Sequence, residues 1–397
     1  MLTTAISIAL LAVAGLLAIP VVVLAVQVFC AMVPSARFQT PMARVRPKVA
    51  VLVPAHDEAS GIAATCKTLG DQLGIGDRLL VVADNCSDDT AAVARNAGAE
   101  VIERRDPARR GKGYALDFGV RHLEMQPPEV VLVVDADCLL TEGALDKLVR
   151  ACAASNRPVQ ATYSMRNHSG APLRLRIAEF AGVVKNLVRP LGYRRLGLPC
   201  QLMGTGMAFP WSVISRAELA TGHIVEDMKL GVDLACAGST PLFCPEAEVI
   251  SHFPDSSQGI QTQRIRWEHG HLSVIVADAP RLLAMAVRER NVPLLAMALD
   301  LAVPPLALLA LLVTVVVAAS VLLAVIFGNA GPLWVGTVVL ALFSSAVAGA
   351  WARFARPVLS ARELAFAPVY ALLKIPMYLR FVSAKQVEWV RSARKGE

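Results

Sequence analysis

Apolar residues crowd both ends of this chain, while the stretch between mixes short apolar runs with polar ones. From Ala5 to Val33 there is no charged residue and a single proline. A membrane-spanning helix needs about 20 apolar residues, so this run suffices. Leu306–Phe327 and Leu333–Ala352 are two further runs of spanning length, separated by the tight-turn residues Asn329-Ala330-Gly331-Pro332. Residues 294–305 are apolar but carry Asp300 and a proline pair, which suits a segment approaching the membrane surface. Residues 364–383 are interrupted by Pro368, Lys374 and Pro376. With Tyr370, Tyr378 and Arg380 they suit an interfacial helix whose cations reach toward the headgroups.

The middle stretch has a different rhythm. Lys48–Ala55 (KVAVLVPA) is a continuous apolar run, the signature of a strand buried on both faces. Helical spacing follows over Glu58–Leu73, then a strand at Arg78–Ala83 that ends on Asp84-Asn85. Ser87-Asp88-Asp89 can cap a helix over Thr90–Ala97. A strand at Glu100–Glu103, a helix at Tyr114–Leu123 and a strand at Val130–Val134 complete the series, and a helix is expected from Thr141. Strands alternating with helices predict an α/β fold with a mostly parallel sheet flanked by helices. The expected domains are a membrane helix at 1–36, a catalytic domain at 37–280 and a membrane region at 281–397, the last ending in a basic tail.

Composition agrees with this division. The 397 residues are 55% hydrophobic, which is too apolar for a wholly water-soluble enzyme. The formal charge is +7, and the basic residues gather beside the apolar runs, at Arg37, Arg44, Arg46, Lys48, Arg353, Arg356, Arg362 and from Arg380 to Lys395. That placement puts the middle domain on the cytosolic face of a cytoplasmic membrane. No nucleic-acid-binding motif occurs. The eight cysteines show neither a C-x-x-C pair nor zinc spacing, and read as small apolar residues of a reducing compartment.

Candidate chemistry falls at the strand ends, where open α/β sheets bind ligands. Asp135 and Asp137 flank one small residue after an apolar strand. Two carboxylates so close repel unless a cation joins them, and Mg²⁺ or Mn²⁺ favours such oxygen ligands together with substrate phosphates. The plainer alternative is a pair of helix caps. Glu226-Asp227 opens a predicted helix over 227–237, where it could serve as a base or only as N-terminal charge. Gly204-Thr205-Gly206 allows close backbone approach. Arg109-Arg110-Gly111-Lys112-Gly113, ahead of a helix, could hold a phosphate. Gln263, Arg266 and Trp267 share one helical face and could clamp a diphosphate and a sugar ring. The basic amphipathic stretch 172–195 reads as a helix at a protein or bilayer surface. No G-x-G-x-x-G follows the first strand and no P-loop occurs.

These motifs, in this order, resemble the membrane-embedded branch of the inverting family-2 glycosyltransferases of GT-A fold, which includes cellulose, chitin, hyaluronan and poly-N-acetylglucosamine synthases and the ceramide glucosyltransferase type. The resemblance covers about residues 48–275. It implies that Pro54, Ala55 and Glu58 form a nucleotide loop, with His56-Asp57 departing from the usual pattern. It implies that Asp84 meets the base edge of a UDP-sugar, that Lys112 and Asp135 bind the nucleotide sugar, and that Asp137, with Asp135, holds Mg²⁺ or Mn²⁺. Asp227 is then the general base. Gly204, Thr205, Glu226, Gln263, Arg266 and Trp267 would lie near the acceptor and the diphosphate. The implied reaction moves a sugar to a lipid or glycan acceptor at the membrane. No F-x-V-T-x-K loop follows Gln263-x-x-Arg266-Trp267, so single transfer to a lipid stays open beside polymer synthesis. A transporter is the remaining alternative, though no internal repeat supports it.

Overall fold

The computed structural model describes residues 1–34, 40–254 and 256–383. Arg37 and the basic tail beyond 383 lie outside them. In chain order the elements are α1 (Leu2–Met32), β1 (Val49–Ala55), α2 (Ile62–Gly70), β2 (Arg78–Asp84), α3 (Thr90–Asn96), β3 (Glu100–Arg104), α4 (Lys112–Leu123), β4 (Val130–Val133), β5 (Leu139–Leu140) and α5 (Ala144–Ser155). There follow β6 (Val159–Arg166), α6 (Leu173–Val183), a π-turn (Val184–Val188), α7 (Arg189–Arg195), β7 (Met207–Pro210), α8 (Trp211–Ile214), α9 (Glu226–Cys236) and β8 (Leu242–His252). The described residues close with α10 (Ser257–Glu289), α11 (Val292–Leu301), α12 (Leu306–Phe327), α13 (Gly331–Ala350), α14 (Ala361–Leu364), α15 (Ala367–Leu373) and α16 (Ile375–Ser383). These elements divide into two compact units.

One unit holds an eight-stranded sheet in the order β3-β2-β1-β4-β7-β6-β8-β5. The expected strands pair in parallel, β1 with β2 and β4, and β2 with β3. Beyond β4 the sheet turns mixed: β7 runs antiparallel to β4 and β6, β6 and β8 run parallel, and β5 is antiparallel to β8. Alternate residues of β1 bury against opposite layers. Val49, Val51 and Val53 join Ile62, Leu69, Leu145 and Leu148 of α2 and α5, whereas Ala50 and Leu52 join Leu116, Val120, Leu230 and Leu234 of α4 and α9. Burial on both faces is why β1 reads as an unbroken apolar run.

Local chemistry moves some boundaries. The helix expected from Glu58 starts at Ile62, because Glu58–Gly61 forms a turn in which Glu58 O accepts from Gly61 N and Ile62 N. The helix expected from Thr141 starts at Ala144, because Thr141 still bonds through its N–H and Oγ1 to Glu248 O and the left-handed Gly143 (φ 69°) follows. That helix has no side-chain cap, so the capping role open to Asp135 and Asp137 is not used.

The second unit takes in the described residues 1–34, 169–197 and 271–383. Among the described residues five helical stretches are long and apolar enough to cross a membrane: Thr3–Met32, Gln258–Glu289, Leu306–Phe327, Gly331–Ala355 and Ala361–Phe381. The fifth is built of α14, α15 and α16, broken where its prolines fall. Residues 292–301 form a helix, with Asn291 capping through Leu294 N (3.1 Å). The stretch 172–195 does not lie free on a surface. Arg189 is buried, donating to Asp300 Oδ1 at 2.8 Å and to Gln27 Oε1 at 3.2 Å, and Gln27 Nε2 donates to Asp300 Oδ1 at 2.6 Å. Gly192 permits this approach, since a Cβ there would collide with the Gln27 backbone.

Candidate active site

The carboxyl end of β4 gathers most of the predicted polar residues. Asp135 follows that strand, and its N–H donates to Thr205 Oγ1 at 3.1 Å. Lys112, the first residue of α4, donates from Nζ to Gly204 O at 2.6 Å and lies 2.5 Å from Asp135 Oδ1. Glu226 Oε1 is 3.7 Å from the same ammonium. Gly204 is left-handed (φ 89°), and a Cβ there would stand 3.4 Å from Asp227 Oδ2. Gly204-Thr205, Lys112, Asp135, Glu226 and Asp227 therefore form one cluster.

The glycines around Lys112 explain the local sequence. Gly111 has φ 129°, open to glycine but strained for other residues. Gly113 lies so close to the segment after Leu219 that a Cβ would fall 2.5 Å from Leu219 O and 2.6 Å from Thr221 O. A small pocket beside Glu226 and Asp227 is lined by Gly113, Leu116, Met207, Leu219, Thr221 and Leu230.

Burial and like charge set the electrostatics. Burial opposes the charge on Lys112, but Asp135, Glu226 and Asp227 outweigh it and hold the ammonium above its usual range. Burial pushes Asp135 up, partly offset by Lys112 and reinforced by Asp137. Burial likewise raises Glu226 to about 7, with Lys112 opposing and Asp227 adding to the rise. Ligand atoms of Asp135, Asp137 and Cys138 lie within 4.8 Å of one another. Burial and the two aspartates push the Cys138 thiol well up, so the carboxylates carry the charge of this group. A pair of hard oxygen donors fits a divalent cation such as Mg²⁺ or Mn²⁺.

The remaining predicted residues take two other positions. Pro54 and Ala55 end β1 in register with Val82 and Ala83, just before Asp84. Glu58 N donates to Thr90 Oγ1 at 2.7 Å, and Asp57 (φ 53°) accepts from Ser87 N at 2.6 Å, so the departure at His56-Asp57 ties the first two strand-end loops together. Asp84 is buried and accepts from Arg104 Nη1 at 2.7 Å and from Asn85 Nδ2 at 3.0 Å. Sequence reasoning passed over Arg104. Its signal is register, because Arg104 ends β3 directly opposite Asp84. Gln263, Arg266 and Trp267 lie partly buried on α10. Four residues after Arg266, Gly270 packs so tightly on Val225 that a Cβ would overlap its side chain, which ties this helix to the start of α9.

A family profile described as "Glycosyltransferase like family 2" matches residues 47–270, more than half of the chain and all of the residues above. The chain belongs to glycosyltransferase family 2. Its relatives include an uncharacterized glycosyltransferase of Mycobacterium tuberculosis, 38% identical over 101 residues that make up 25% of this chain and 42% of that protein. A probable glycosyltransferase of Bacillus subtilis, YdaM, is 26% identical over 240 residues, 58% of this chain and 56% of that protein. The chain thus spans about half the length of the curated relatives it matches. Among solved structures it is similar to the mannosyltransferase PcManGT of Pyrobaculum calidifontis in complex with GDP-Man and Mn²⁺, with a TM-score of 0.58 and 18% identity over 95% of this chain and 100% of that one. This family 2 glycosyltransferase therefore has the expected GT-A-type fold class, with long apolar helices at both ends.

Proposed function

We propose that this glycosyltransferase moves a sugar from a nucleotide-diphosphate sugar to a lipid or glycan acceptor at the cytosolic face of a cytoplasmic membrane, with inversion at the anomeric carbon. The observation that carries this reading is the gathering of Lys112, Asp135, Glu226 and Asp227 around Gly204. In this reading Asp227 takes the proton of the acceptor hydroxyl as that oxygen attacks, and the bond from the anomeric carbon to the diphosphate breaks. Lys112 and Arg266 offset the charge left on the departing diphosphate. Asp135 and Asp137 would hold the divalent ion, which when bound neutralises diphosphate charge as a Lewis acid. Trp267 offers its ring to the acceptor sugar or the donor. Asp84, whose Oδ1 already serves Arg104 and Asn85, turns its remaining acceptor capacity to the base.

Membrane placement is supported by the long apolar helices α1, α12 and α13 and by the arginines at 44, 46, 353, 356 and 362, which that three-span arrangement puts on the side of the catalytic domain. Exopolysaccharide or cell-envelope glycan synthesis is the expected setting, and glycolipid synthesis the alternative. The family resemblance favours a uridine donor. The complex of PcManGT with GDP-Man makes guanosine the arm to test beside it. The experiment is a panel of UDP- and GDP-sugars given to detergent-purified protein, with Mn²⁺ or with a chelator. Sugar transfer or metal-dependent hydrolysis with one donor supports the reading. No binding and no hydrolysis with any donor refutes it. A product that lengthens with time indicates a polymer, and one discrete product indicates single transfer.

A further inference from the structure

The loop at residues 203–206 meets Lys112, Asp135 and Asp227 of the cluster, yet no family motif explains what holds it. The ladder between β6 and β7 pairs Val159 with Ala208 and Gln160 with Met207. Ala161 N then donates to Gly206 O at 2.9 Å, and the left-handed Gly206 (φ 66°) and Gly204 (φ 89°) turn the chain away from the sheet. Backbone groups of the departing loop lose their ladder partners there. The side chain of Gln160, completely buried, takes over that role. Its Oε1 accepts from Met203 N at 2.8 Å, and its Nε2 donates to Thr205 O at 2.8 Å and to Ala161 O at 2.9 Å. One carboxamide thus grips the loop on both sides of Gly204.

What the loop carries makes this grip relevant to the site. Gly204 O accepts from Lys112 Nζ, Thr205 Oγ1 accepts from Asp135 N, and the Gly204 Cα faces Asp227 Oδ2. We infer that Gln160 is a positioning residue for nucleotide-diphosphate binding: it sets the Gly204 carbonyl and the Thr205 hydroxyl so that Lys112 and Asp135 are held where the diphosphate and its ion bind. This rests on the proposed donor site. It goes beyond that reading by giving an uncharged residue outside every motif control over that site. Glutamine suits the task because it supplies one acceptor and two donors without charge. Glutamate would lose both donors, and leucine would leave Met203 N and Thr205 O unpaired.

The test is nucleotide binding by the full-length protein in detergent, with Mn²⁺ and whichever of UDP or GDP the wild type binds more tightly. Gln160→Leu and Gln160→Glu are expected to weaken that binding at least about 10-fold, a loss matching the net worth of a small number of buried hydrogen bonds. Val159→Ala, in the same strand, serves as the packing control, losing stability while keeping wild-type affinity. In a Lys112→Met background Gln160→Leu is expected to add little, since both act on one contact. If the Gln160 variants fold and bind as tightly as wild type, or if Val159→Ala weakens binding equally, the inference is overturned. If the wild type binds neither nucleotide, the donor-site reading itself has failed.

Discussion

Replacing Glu226 by glutamine should stabilise the metal-free protein at neutral and alkaline pH. The Glu226 carboxyl is largely buried and held at about 7, against 4.5 for an ordinary glutamate. A rise of that size corresponds to about 3 kcal/mol of differential interaction between its charged and neutral forms. The folded protein then binds this proton more tightly than the unfolded chain does. The associated stability is complete below about pH 4.5 and is lost as pH climbs to about 7, above which the ionised group exacts its full cost. Glutamine resembles the neutral form at every pH, and Lys112 keeps its contact with Asp135 at 2.5 Å. Glu226→Gln should therefore exceed wild type by up to about 3 kcal/mol at pH 8, several degrees in apparent Tm, with the difference shrinking to under about 1 kcal/mol at pH 5. Thermal unfolding in detergent with a chelator present, followed by tryptophan fluorescence from pH 5 to 8, measures this. A variant less stable than wild type at pH 8, or a difference that does not change with pH, would refute the reasoning.

Two further substitutions probe the two units separately. Gly113→Ala places a Cβ against Leu219 O and Thr221 O, so the first turn of α4 must shift and carry Lys112 with it. Overpacking of this kind costs about 1–3 kcal/mol, and titration with UDP or GDP should show weaker binding. Arg189→Met leaves Asp300 buried without its cation, a loss of about 3–5 kcal/mol, whereas the double change Arg189→Met/Asp300→Leu removes both charges and should recover much of it. Monodispersity and apparent Tm after detergent extraction separate the single variant from the double.

Strands β1, β2 and β4 could be read from the sequence because each is buried on both faces and followed by polar residues, as in Val51-Leu52-Val53 and Leu132-Val133 before Asp135. The span Leu306–Phe327 was legible for a similar reason, being a uniform apolar run with a glycine at its end. The mixed half of the sheet was not. β7 holds four residues, and what makes it a strand is its pairing with β4, some eighty residues earlier in the chain. The motif residues Asp135, Asp137, Glu226 and Asp227 stood out because carboxylates at strand and helix ends are conspicuous. Arg104 and Gln160 did not, since each earns its place from a cross-strand neighbour. In the stretch 172–195 the burial of Arg189 was not legible, because its partners sit on α1 and α11, far away in sequence.

The central claim is that Asp227 is the base of a sugar transfer whose donor is held by Lys112, Asp135 and Asp137. Its most direct test is Asp227→Asn, with nucleotide binding and transfer measured on the same preparation once a donor is found. The account predicts near-wild-type nucleotide affinity with transfer reduced at least about 10²-fold, the usual share of a general base. Undiminished transfer by Asp227→Asn would contradict it.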